Sequence, residues 1–106
     1  MIETFHIKRG DTLPPLGLAL EPSGLSLAGA TVRFRMRRRA GDMVLDGPAS
    51  VTALSGRAAV EYEWQPGDTA EAGAFEAEFR VVYADGAIET FPNAGFIPVR
   101  IGEDVA

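Results

Sequence analysis

One histidine, His6, and no cysteine are all this chain offers to imidazole and thiol chemistry. Disulfides, thiolate nucleophiles and cysteine metal sites are therefore excluded. His6 stands between Phe5 and Ile7 in an alternating stretch, which aims it outward. No second histidine exists to complete a metal site or a triad, and no serine or threonine sits in a nucleophile motif. The acids are more numerous. Glu61 and Glu63 alternate along one segment, Glu76 and Glu78 along another. Paired carboxylates can serve general acid–base catalysis or bind calcium, but both jobs need a cleft and unequal surroundings. Acids alternating along the polar face of a strand are solubilising. Asp11, Asp42, Asp68 and Asp85 lie in turns beside or near glycine, and no stretch has calcium-loop spacing. These residues point to no enzyme, no cofactor and no metal.

The arginines are the strongest candidate for a working surface. Five of the ten basic residues lie between Arg33 and Arg39: Arg33, Arg35, Arg37, Arg38 and Arg39. One reading is a solvated face, with cross-strand pairs to Glu76 and Glu78 or to Glu61 and Glu63, each worth about 0.2–1 kcal/mol. The other is a docking face for an acidic neighbouring subunit, since the guanidinium fork pairs bidentately with carboxylates. Both stay open; phosphate or glycan binding comes third. Arg9-Gly10-Asp11 spells a tripeptide known from integrin ligands, but here it makes a turn.

The elements that position these residues are strands. Thr31 to Arg37 alternates Val32, Phe34 and Met36 with Arg33, Arg35 and Arg37, and a period of two marks a half-buried strand. The same pattern predicts strands over 2–8, 16–20, 58–64, 75–83, 88–91 and 96–101. Shorter ones are expected at 43–45 and 50–54, separated by a break at Asp46-Gly47-Pro48. Pro14-Pro15 suggests that the 16–20 strand lies at an edge or changes sheets. Turns are expected at 9–12, 21–24, 40–42, 55–56 and 92–95. Leu25 and Leu27 should dip into the core. Asp85-Gly86 is read as a tight I′ hairpin turn. Seven to nine strands with regular turn signals define an all-β, immunoglobulin-like antiparallel β-sandwich, with a small barrel as the alternative. Shared parity assigns the core to Phe5, Ile7, Leu18, Val32, Phe34, Tyr62, Phe75, Phe79 and Val81.

At 106 residues and 46% hydrophobic content the chain is one domain spanning 1–106. No apolar run reaches membrane-span length. The N-terminus lacks a secretory pattern, so synthesis in a cytoplasm is expected. A net charge of −5 argues against general nucleic-acid binding.

The order of the motifs carries a resemblance. Gly10-Asp11-Thr12 follows the first strand. Leu27-Ala28-Gly29-Ala30-Thr31-Val32-Arg33-Phe34 leads into the arginine strand. Tyr62-Glu63-Trp64, Gly67-Asp68-Thr69, Gly73-Ala74-Phe75, Asp85-Gly86 and Phe91-Pro92 then follow in turn. This series, from Phe5 to Ile101, resembles the immunoglobulin-like N-terminal domain of bacteriophage baseplate upper proteins and related small phage tail proteins. The resemblance implies a virion structural protein with no catalytic residues. It would be made in the bacterial host, assemble symmetrically as a homo-oligomer, and contact other virion proteins. Family members often continue into domains that hold a receptor-binding protein; a chain of this length is expected to act as a connector or capsid decoration subunit. A carbohydrate-binding module is the competing function. It needs exposed aromatics, whereas Phe34, Tyr62, Trp64, Phe75, Phe79 and Tyr83 mostly fall on the buried side.

Overall fold

The computed structural model describes residues 2–20, 27–54 and 57–105. The turns expected at 21–24 and 55–56, and Leu25, lie outside the described residues. Among those described there are eight strands and no helix: β1 (Phe5–Lys8), β2 (Leu16–Ala19), β3 (Thr31–Arg38), β4 (Met43–Leu54), β5 (Arg57–Tyr62), β6 (Gly73–Val82), β7 (Ile88–Phe91) and β8 (Ile97–Gly102). The strand order is β1-β8-β6-β3-β4-β5-β2, with β7 beside β6. All pairings are antiparallel except β1 with β8, which run parallel.

The path folds into two layers because β4 serves both. Residues 43–49 pair with β3, and residues 50–54 pair with β5. The larger layer is therefore β1, β8, β7, β6, β3 and the start of β4; the smaller is the end of β4, β5 and β2. Asp46-Gly47-Pro48 does not break the strand, contrary to the expectation of two short ones. Over 43–49 no described strand pairs with the far edge of β4, and a proline, lacking an N–H, is tolerated at an open edge. Gly47 is buried and accommodates the Tyr62 ring: a Cβ there would come within 3.2 Å of Cε1. The residues that read as a turn remain paired with β3, just before the strand changes layers between Ala49 and Ser50.

The core lies between the layers. Phe34 of β3 stacks on Tyr62 of β5 at 4.5 Å and meets Trp64 edge-on at 5.5 Å. Phe79 tilts against Phe34 at 5.2 Å. Of the expected core, Ile7, Val32, Phe34, Tyr62, Phe75, Phe79 and Val81 are buried, while Phe5 and Leu18 are partly buried against it. Met36, Ile97, Val99 and Ile101 complete the inner face of the larger layer, and Leu27 dips in as expected. This is an all-β, sandwich-like architecture.

One turn differs in detail from expectation. The β6–β7 hairpin is not a I′ turn: Asp85 does not have positive φ, and Gly86 alone does in this loop (+91°). The Gly86 N–H donates to Tyr83 O and the Tyr83 N–H to Ala87 O. That is the three-residue hairpin loop with glycine in the left-handed position. Asp85 Oδ1 accepts from the Ala87 N–H. In the loop before β6, buried Thr69 accepts from the Gly10 N–H at 3.1 Å and donates to Asp11 O at 2.8 Å. It pins this loop to the turn after β1.

Candidate functional site

Alternation places Val32, Phe34 and Met36 inward, so Arg33, Arg35 and Arg37 must stand on the outer face of the larger layer. The register ranks their neighbours. Arg37 is level with Met43 on β4, Glu76 on β6 and, through Glu76, Pro98 on β8. Arg35 is level with Asp46 and Glu78, and Arg33 with Pro48 and Arg80. His6 and Arg100 share a level across β1 and β8. The face thus gathers Lys8, Arg33, Arg35, Arg37, Arg80 and Arg100 around Asp46, Glu76 and Glu78.

Much of the arginine charge is already answered within the chain. Arg33 Nε donates to Asp46 Oδ1 at 2.7 Å. Arg37 pairs with Glu76 at 2.9 Å, and its guanidinium lies 4.6 Å from the centre of the Phe96 ring. Arg38, at the strand end, pairs with Glu71. The hydrogen bond and charge of Arg38 hold the Glu71 carboxyl below the usual range. Arg39, next along, is exposed in the turn, and its backbone N–H donates to Ala74 O. The expected partner Glu76 is present. Glu78 lies in register but makes no ion pair among the described residues, and Glu61 and Glu63 belong to the smaller layer, near β5.

Arg35 is held more loosely, by an ion pair to Asp46 that is too long for a hydrogen bond. Its Nε is buried and has no hydrogen-bond partner, with Asp46 Oδ2 3.7 Å away. It borders a shallow cleft of about 170 Å³ together with Arg37, Met43, Glu76, Glu78 and Phe96. Phe96 and Met43 are 40% and 60% exposed, so this charged face carries apolar side chains at both flanks. A groove formed by Ile2, Thr4, Pro92, Gly95 and Pro98 continues from Phe96. A second cleft, around His6, Lys8, Leu13 and Arg100, lies near the opposite end of β1.

Sequence reasoning missed Asp46 and Phe96. Asp46 was concealed by the turn-like Asp-Gly-Pro. Phe96 had a legible signal: its parity is opposite to Ile97, Val99 and Ile101, so it belongs outside. Among the described residues, no group of three His, Cys, Asp or Glu side chains is placed to hold a metal ion. The arrangement is a charged strand face with exposed apolar side chains at its margins. Comparison with protein-family models finds no match, and comparison with curated proteins finds none either.

Proposed function

We propose that this chain is a structural component of a bacteriophage or phage-like particle, a tail, baseplate or fibre-attachment module that works by protein–protein contact rather than catalysis. The observation that carries the reading is the outer face of the larger layer. It combines ordered charge on β3 and β6 with exposed apolar side chains at Met43 and Phe96. Aromatic residues and arginine are the types enriched where proteins meet. The order of motifs that resembles the baseplate upper-protein domain supports the same reading. A glycan platform has less support: Phe34, Tyr62, Trp64, Phe75 and Phe79 are buried, and one face of the exposed Phe96 ring is in contact with the Arg37 guanidinium.

The test is to purify particles from the organism that encodes the chain and examine them by mass spectrometry and by immunogold electron microscopy. The chain is expected in stoichiometric amount, with gold at the tail. Labelling over the head would favour a capsid decoration protein instead. Absence from intact particles would sink the reading.

A further inference from the structure

The charges on this face are arranged to complement a second copy of the same face. On β3 the sequence at successive outward levels is Arg33, Arg35, Arg37; on the adjacent β6 it is Arg80, Glu78, Glu76. A basic column stands beside a column that is acidic over two of its three levels. Two in-plane two-fold axes can relate copies stacked on this face. An axis across the strands sets β3 over β3, arginine against arginine. An axis along the strands, midway between β3 and β6, sets β3 of each copy over β6 of the other and keeps every level unchanged. Arg37 then faces Glu76 of the second copy, and Arg35 faces Glu78.

We propose that the chain forms an isologous dimer through the outer face of the larger layer, with β3 of each copy over β6 of the other. This deepens the reading of the face as a contact surface and rests on it. Three observations support the geometry. Arg35 has a buried Nε without a hydrogen-bond partner. Glu78 on the same level has no ion pair among the described residues. Arg35 is held internally only by a long ion pair to Asp46 at 3.7 Å, so its guanidinium, with the side chain 31% exposed, is less committed than those of Arg33 and Arg37, and the two-fold brings Glu78 of the second copy to it. The same operation sets Met43, at the β4 flank, over Pro98 at the β8 flank, with Phe96 one level away. Exposed Met43 at one margin is thus covered by half-buried Pro98 at the other. An isologous contact is closed and stops at two copies. The remaining level opposes Arg33 to Arg80, which limits affinity and makes its own prediction.

Sedimentation equilibrium at low and high salt tests the proposal, with circular dichroism confirming that each variant folds. Wild type should dimerise, more weakly as salt screens the pairs. Glu78→Arg alone should raise Kd by at least about tenfold, equivalent to about 1.4 kcal/mol. The exchanged variant Arg35→Glu/Glu78→Arg should recover it, because the two-fold opposes the exchanged charges again. Arg80→Glu should tighten the dimer. Geometry is read separately by cross-linking. Because the chain has no cysteine, Met43→Cys and Pro98→Cys can each carry a single thiol. Stacked sheets lie about 10 Å apart, so a short bifunctional maleimide should join the two variants when mixed. Self-linkage of Met43→Cys without linkage to Pro98→Cys would overturn the geometry. A monomeric wild type at low salt overturns the dimer. If particle proteins still bind that monomer and Arg35→Glu/Arg37→Glu abolishes their binding, the contact surface stands without self-association. If they do not bind either, both readings fall.

Discussion

Phe79 touches the centre of the aromatic cluster, fully buried and packed on Phe34. Removing its ring leaves a cavity lined by groups held in two layers, which cannot collapse freely. Phe79→Ala should therefore cost about 3–5 kcal/mol, measured as a lowered denaturant midpoint. An unchanged midpoint would contradict the register described for β6. Tyr83 illustrates a different dependence. Its hydroxyl donates to Glu89 Oε1 at 2.8 Å, and burial, followed by this bond to a carboxylate, pushes its pKa up to about 12. Tyr62, beside Asp68, shifts in the same direction for the same reasons. A folded chain that retains protons the unfolded chain loses is fully stabilised below the ordinary tyrosine pKa of 10.0. That stability is lost as pH rises through the folded value. Unfolding midpoints should decline between about pH 10 and 12, and less steeply in Tyr83→Phe. Parallel declines for both proteins would refute the assignment to Tyr83.

At the scale of elements, β4 decides the architecture. Its two halves pair with strands of different layers, so the hairpins on either side of it are folded over one another. Just before the crossing lies Gly47, where the Tyr62 ring approaches the backbone. Tyr62 is itself held by hydrogen bonding to Asp68, which also accepts from the Gln65 N–H at 2.8 Å. Neither the ring nor the loop behind it is a free end that can move aside cheaply. Gly47→Ala should therefore destabilise the fold by about 1–3 kcal/mol through overpacking, read from urea unfolding. A neutral effect would mean that the layers are less closely packed at this crossing. The β6–β7 hairpin shows a milder constraint. Gly86 adopts positive φ to close a three-residue loop whose hydrogen bonds return the chain in register with Val82 and Ile88.

For the whole molecule, cohesion is expected to come from apolar burial between layers and from strand pairing. The acids are distributed over turns and strand faces rather than collected around one point. Melting temperature should accordingly be unchanged by a chelator such as EDTA. A fall that added calcium or zinc restores would identify a metal requirement and overturn this expectation. The ion pairs on the outer face contribute little to monomer stability, since exposed pairs are worth about 0–1 kcal/mol each. Their pattern matters more for which surface can oppose which.

The sequence by itself determined the all-β class and most of the inner face, because alternation maps directly onto the two sides of a strand. Val32, Phe34 and Met36 against Arg33, Arg35 and Arg37 is legible without any partner. The same parity, applied to Phe96, marks it as an outward residue. Tertiary structure decided what stands beside what. Asp-Gly-Pro has the local chemistry of a turn, and only an edge of β4 that no described strand pairs with, together with the Tyr62 ring over Gly47, lets it continue as strand. Asp46 is separated from Arg33 by thirteen residues, and Glu76 from Arg37 by thirty-nine. Glu76 stands opposite Arg37 in the register and Asp46 lies one level diagonal to Arg33, placements that only strand pairing can set. Periodicity in a single strand reports which way a side chain points; the order of strands determines which charge it meets.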